Sequence, residues 1–265
     1  MAEPVATGYG KQAVSVYRTD GVRTLFAAEV GMTARGEAFL PSYTEGDNAA
    51  VVATDSMKNF IHVTALDYDG SSLEDFLELL ARRFVETYQQ VERIELTGRE
   101  LLFARRTEQS FQGVGGDYGV AELALARDGT LEHLSGREGL RLIKLTGSSF
   151  EGFVRDEYTT LPELRDRPLY VHLDAHWRHR DFGNRAPGEE VRDSIAATFA
   201  EFDSASIQEL VHEMGVRLLD AFAQLEEVSF VAENRLWDTA RSDERVRVYT
   251  DPRPPFGQIE LTLRR

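Results

Sequence analysis

The sequence contains no cysteine. Disulfides, thiolate metal sites and cysteine nucleophiles are therefore excluded, and a reducing cytoplasm suits the chain. Lysine is scarce: Lys11, Lys58 and Lys144 are the only lysines among 30 basic residues. No stretch approaches the ~18 consecutive apolar residues of a membrane span. Met1-Ala2-Glu3-Pro4 lacks the basic and apolar regions of a secretory signal, so a cytoplasmic protein with no membrane partner is expected. Positive charge is also in deficit, 30 Lys+Arg against 45 Asp+Glu, for a net −15. Such a surface repels phosphate backbones, and nucleic acid is excluded as a partner class.

What is present reads as an ordinary globular chain of 265 residues, 42% hydrophobic and 28% charged, which argues against disorder. Two long helices are legible. From Ser72 the apolar positions Leu73, Phe76, Leu77, Leu80, Phe84 and Tyr88 recur at helical spacing. From Ser206 the positions Ile207, Leu210, Val211, Met214, Leu218, Ala221, Phe222 and Leu225 do the same. Ser71 with Glu74, and Ser206 with Glu209, have the spacing of capping boxes. A shorter helix precedes each, near 55–66 and near 190–202.

β-rich stretches surround these helices: 13–18, 24–36, 91–106 and 120–127, then 140–154, 169–177, 225–231 and 259–263. The order is ββααββ, repeated once. The segments leaving the two long helices resemble each other, Gln90-Val91-Glu92-Arg93-Ile94 beside Leu225-Glu226-Glu227-Val228. The reading is a duplication with domains 1–134 and 135–265. The class is α+β, antiparallel sheet with helices on one face. Half-sheets of four strands leave edges, so closure with further subunits into an obligate oligomer is expected.

Candidate motifs divide unevenly. Gly113-Val114-Gly115-Gly116 lacks the strand–glycine–helix context of a nucleotide loop and reads as a hairpin loop. His172, His176 and His179 have zinc-like spacing only if helical. Their segment alternates like a strand, which spreads the rings over different faces, so no metal site is expected. Val51-Val52-Ala53-Thr54-Asp55-Ser56-Met57-Lys58-Asn59 runs from an apolar strand end into a helix start. That start either simply caps itself or offers its amides to an anion. The second polar cluster is Phe150 to Leu161, followed by Arg167. Spacing alone assigns neither a site.

Taken together, these segments resemble the urate oxidase (uricase) family over nearly the whole chain. The resemblance rests on Tyr9-Gly10-Lys11, on Val52-Ala53-Thr54-Asp55-Ser56 with Lys58-Asn59, and on Gly152-Phe153 with Arg155-Asp156-Glu157-Tyr158-Thr159-Thr160-Leu161. Thr198-Phe199-Ala200-Glu201 and Ser204-Ala205-Ser206-Ile207-Gln208 complete it. It implies tandem ββααββ tunnelling-fold (T-fold) modules. These would form a homotetramer around a tunnel, with active sites at subunit interfaces. It implies oxidation of urate by dioxygen and water to 5-hydroxyisourate and hydrogen peroxide, with no cofactor and no metal.

By resemblance, Phe150 stacks on the purine, Arg167 forks onto it, and Gln208 faces its lactam edge. The backbone amides of Asp55 and Ile207 complete recognition in the plane. Asn234 sits above the ring, where dioxygen and water bind. Lys11 and Thr54 form the proton relay, with Lys11 desolvated to act as the base. The chain departs from the family at Leu236, where a His follows Asn234 by two residues in other members, so Lys11 and Thr54 carry the relay without it. It also ends Leu263-Arg264-Arg265 without a peroxisomal tripeptide, as expected of a bacterial cytoplasmic member. Two rivals remain: a purine-binding T-fold protein without turnover, favoured by Leu236, and a zinc-dependent pterin enzyme, disfavoured by Gln208.

Overall fold

The computed structural model describes residues 7–21, 24–235, 237, 239–252 and 255–265. It is an α+β chain of mostly antiparallel strands with few helices. Two compact units divide between Ser135 and Gly136.

In the first unit, β1 (Tyr9–Asp20) pairs antiparallel with β2 (Thr24–Arg35). A 3-10 turn (Glu37–Phe39) and the short α1 (Leu40–Thr44) follow, then α2 (Thr54–Asp67) and α3 (Leu73–Thr87). β3 (Arg93–Glu100), the hairpin β4 (Phe103–Thr107) and β5 (Ser110–Gly113), and β6 (Tyr118–Ala126) complete it. The main strands lie in the order β1-β2-β3-β6. β2 shows why one sheet face is core: Ala28, Val30, Met32 and Ala34, two residues apart, are fully buried. Against that core α3 turns Leu73, Phe76, Leu77, Leu80 and Phe84, all buried. Each such side chain contributes about 1.5–3 kcal/mol.

Three expectations fail here. The cap of α3 is Ser72, not Ser71: Ser72 is extended (φ −84, ψ 135), and its hydroxyl accepts from the Asp75 amide at 3.3 Å. Starting one residue later frees the Glu74 carboxylate, which accepts instead from the hydroxyls of Ser72 and Ser135, each at 2.9 Å. The stretch 91–106 is not one strand either. The Leu101 amide turns to the Ala27 carbonyl and the Glu100 carboxylate takes the Gly119 amide, so the chain leaves the sheet for the β4–β5 hairpin. Gly113–Gly116 then links that hairpin to β6 rather than closing a hairpin itself.

The second unit takes in most of β7 (Leu131–Lys144), then β8 (Leu169–His179), α4 (Gly188–Glu201) and α5 (Ile207–Ala221). β9 (Leu225–Asn234), the small pair β10 (Thr239–Ser242) and β11 (Arg247–Tyr249), and β12 (Gly257–Arg264) follow. Its main strands lie in the order β7-β8-β9-β12. In β8, Leu169, Val171, Leu173, Ala175 and Trp177 alternate into a core shared with Val191, Ile195 and Phe199 of α4 and Leu210, Met214 and Leu218 of α5. Gly215 permits the close seating of α5, since a Cβ there would lie 2.5 Å from the Leu263 side chain.

The Ser206–Glu209 box forms. Ser206 Oγ accepts from the Glu209 amide at 3.1 Å, and the Glu209 carboxylate reaches back to the Ala205 amide at 2.6 Å. The strand expected over 140–154 stops at Lys144. Gly147 stands at φ +77, and the following backbone bonds to Ser204 and Leu164 instead of extending the ladder. His172 and His176 share one face of β8, and His179 falls on the buried face. No described helix is long and apolar enough to cross a membrane.

Candidate active site

Lys11, Thr54 and Asp55 belong to the first unit, and Phe150, Arg167, Ile207, Gln208 and Asn234 to the second. In the first unit a β-bulge does the aiming. Lys11 pairs with Met32, yet Val14 pairs with Val30, so two residues of β1 oppose one of β2. Directly opposed residues share a face, which puts Lys11 on the side of Met32, Val14 and Val16, all buried. Simple alternation would have turned Lys11 outward with Ser15 and Tyr17. The bulge holds Ala13 at φ 56, a conformation costing about 1–3 kcal/mol for a residue with a side chain.

The same face receives the start of α2. The Val52 amide donates to the Tyr9 hydroxyl at 2.8 Å, which ties the approach of α2 to β1. Ala53 is the N-cap and has no side-chain cap, so Thr54 and Asp55 open the helix with first-turn amides that have no partner within it. The Asp55 carboxylate is turned along the helix, accepting from Lys58 and, at 3.3 Å, from Asn59. The hydrogen bond from Lys58, with its charge, holds the Asp55 carboxyl below its ordinary value; the Lys11 charge adds to this, which makes Lys11 and Asp55 electrostatic neighbours. The spacing Asp55–Lys58–Asn59, three and four residues apart, was a readable signal for this clasp.

In the second unit three irregular segments meet. Phe150 and Leu164 exchange backbone hydrogen bonds at 2.8 and 3.0 Å, and the Arg167 amide donates to the Ser148 carbonyl at 2.9 Å. Ser149 donates to the Ser204 carbonyl, and Ser204 to the Gly147 carbonyl. This knitting sets the Arg167 guanidinium carbon 5.4 Å from the centre of the Phe150 ring. One face of Phe150 is stacked by Phe153, 4.9 Å away with 13° between planes. Arg167 is only 9% exposed; burial lowers its pKa, and its Nε has no hydrogen-bond partner. A buried donor of that kind costs about 1–3 kcal/mol until something accepts from it.

Two residues on from Ser204, Ser206 starts α5, so buried Ile207 and exposed Gln208 follow the same junction. Asn234 closes β9 opposite Val171 and Gly257, and its Oδ1 is also buried without a partner. Leu236 lies outside the described residues. A cavity of about 380 Å³ opens beside the junction, walled by Ser148, Asp166, Asp203 and Ser204 among others. Sequence reasoning passed over Ser148 in this role because its bonds are made by main chain to distant segments. Among the described residues no three His, Asp or Glu side chains converge as metal ligands.

The fold defines the class: an α+β protein whose antiparallel strands carry paired helices. Comparison with known proteins goes further. The Uricase family model matches residues 7–120 and 133–260. The uricase of Haloferax volcanii is 40% identical, over 97% of each chain. The uric acid degradation bifunctional protein of Bacillus sp. TB-90 is 40% identical over 94% of this chain, which spans 58% of that longer protein. The crystal structure of urate oxidase from Bacillus sp. TB-90 superposes with a TM-score of 0.91 at 38% identity, covering 98% of this chain and all of that one. The chain belongs to the uricase family.

Proposed function

We propose that this oxidoreductase converts urate, dioxygen and water to 5-hydroxyisourate and hydrogen peroxide without a cofactor. The observation that carries the reading is the buried Arg167 guanidinium, with an unsatisfied Nε, held beside the Phe150 ring in a chain of the uricase family. A planar anion meets both needs at once. Its ring packs against Phe150, and its oxygen and ring nitrogen accept from the fork of Arg167. Gln208 offers donor and acceptor to the lactam edge, and the amides of Asp55 and Ile207 donate in the plane. Binding an anion to a chain of net charge −15 requires this local concentration of donors.

The chemistry begins with proton removal, since urate reduces dioxygen only once it is electron-rich. Lys11 takes the proton through the Thr54 hydroxyl. Asn234, with its free Oδ1, addresses the space above the ring where dioxygen and then water act. The two electrons leaving urate reduce dioxygen to peroxide, and water supplies the new hydroxyl at C5. The rest of the assembly follows the same reading. Residues 1–134 and 135–265 form tandem T-fold modules, with β1 at an edge of the first unit's strand order and β12 at an edge of the second's. Such strand edges are templates for pairing with another chain. Closure there gives a homotetramer around a tunnel, with active sites at subunit interfaces.

The test is direct. Metal-stripped protein is mixed with urate, and ultraviolet absorbance, oxygen uptake and peroxide are followed together. Equal molar loss of urate and oxygen, with equal gain of peroxide, is the expected result. Urate bound but unconsumed would replace the oxidase with a binding protein.

A further inference from the structure

The purine platform described above rests on three stretches that hold only isolated β-bridges, around residues 146–150, 164–167 and 202–206. Lys144, the last residue of β7, stands where they meet. Its Nζ donates to the Phe202 carbonyl at 2.7 Å and lies 5.7 Å from the centre of the buried Phe199 ring. Asp203 and Asp166 both act on its charge. Asp166, next to Arg167, accepts from the Thr146 hydroxyl at 2.6 Å and the Gly147 amide at 2.8 Å. Phe202 is the C-cap of α4, and α4 has no basic residue in its own last turn. The Lys144 ammonium therefore supplies, from another element, the cation that the negative end of a helix favours.

We propose that Lys144 is a positioning residue of the purine pocket: its ammonium fastens the end of α4 to the end of β7, and so fixes Ile207 and Gln208 relative to Phe150 and Arg167. The inference rests on the urate reading above and adds a determinant of substrate binding to it. The chain's composition agrees. In a protein that otherwise uses arginine, this site keeps a lysine, because a compact ammonium can reach one carbonyl between an aromatic ring and two carboxylates. A planar guanidinium is larger and demands a fork of acceptors. Burial lowers the Lys144 pKa and the two aspartates oppose that, so the pair of carboxylates holds the charge in place.

A pure stability clamp and a positioning residue differ in what they move. Lys144→Met and Lys144→Arg are compared with the unaltered protein by thermal midpoint, by KM and kcat for urate, and by affinity for xanthine. For Lys144→Met the expected result is a KM raised about tenfold, xanthine affinity weakened in parallel, and a smaller change in kcat. Displacements of about 1 Å are enough for effects of this size or larger. Lys144→Arg should fail to restore KM. A lowered midpoint with KM and xanthine affinity within twofold of the unaltered protein would overturn the proposal. Should Lys144→Met not fold, Asp203→Asn keeps the ammonium and loosens its seat. It is expected to raise KM severalfold, and an unchanged KM would again overturn the idea. Xanthine binding separates the two readings: if the unaltered protein binds xanthine without consuming urate, the oxidase reading fails while the role of Lys144 is still decided by affinity.

Discussion

Helix α2 of the first unit and helix α5 of the second each open on a first turn that carries proposed site residues, and the two turns are finished in opposite ways. At α5, Ser206 and Glu209 close a reciprocal box that occupies the amides of Glu209 and Ala205. At α2, Ala53 offers no side chain to the turn, and Asp55 spends its carboxylate on Lys58 and Asn59. A missing cap costs about 1 kcal/mol. The first unit carries that cost beside the strained bulge at Ala13, and both features flank the proposed relay of Lys11 and Thr54. In the second unit the helix end is closed, Arg167 and Ile207 are buried, and the unsatisfied group is the Arg167 Nε instead.

The sharpest way to break this contrast is Lys11→Met. If the open end holds the base, turnover should fall about 10²–10⁴-fold while urate still binds. Urate absorbance and oxygen uptake give the first quantity and equilibrium binding the second. Unchanged turnover would remove Lys11 from the chemistry. Next in size is Arg167→Lys in the closed half. Replacing a buried fork by a point charge should weaken urate and xanthine binding about 10- to 100-fold, the loss of one charged hydrogen bond. Calorimetric affinity within twofold of the unaltered protein would refute the clamp.

A milder change should make the two ends alike. Ala53→Ser gives α2 the cap it lacks, so thermal unfolding should show a gain of about 1 kcal/mol. The same hydroxyl competes for first-turn amides, and KM for urate should rise a few-fold. A gain in stability with KM untouched would show that those amides do not serve the substrate.

The smallest effect concerns the frame of the first unit rather than its helix end. The hydrogen bond from Arg35 holds the Glu95 carboxyl below its ordinary value; burial opposes this and Arg93 assists. A lowered carboxyl pKa stabilises the fold above the ordinary value of 4.5 and loses that contribution as pH falls through the lowered one. Glu95→Gln should therefore cost less than about 1 kcal/mol at neutral pH, the two side chains being 40% and 33% exposed, and progressively less as pH falls below the ordinary value. Unfolding midpoints between pH 3 and 7 would show the two proteins converging on the acid side.

The fold was legible where a side-chain period repeats. α3 and α5 are amphipathic over fifteen residues each, and β8 alternates without a break. The β4–β5 hairpin was missed because most of β4 fell inside the β-rich stretch 91–106, and its exit depends on Leu101 and Glu100 finding partners at Ala27 and Gly119, which no local pattern announces. The site was legible as a set of residues through family resemblance, and illegible as an arrangement. Phe150 and Arg167 are joined by main-chain bonds to Leu164, Ser148 and Ser204, and such bonds leave no mark on composition. Lys144 shows the same limit, since its partner is a carbonyl 58 residues away.

The bulge in β1 makes that strand sensitive to the parity of its own length. Residues after Val14 and residues before Lys11 obey opposite odd–even rules, and the two residues between them absorb the mismatch. Removing one of the two would restore a plain ladder with Lys11 still opposite Met32, on the side of Val14, and would dispense with the positive φ of Ala13. Removing both would make Lys11 the neighbour of Val14 and turn it to the opposite face. For a designer trimming or grafting this strand, the single extra residue of the bulge is the safe change and the pair is not.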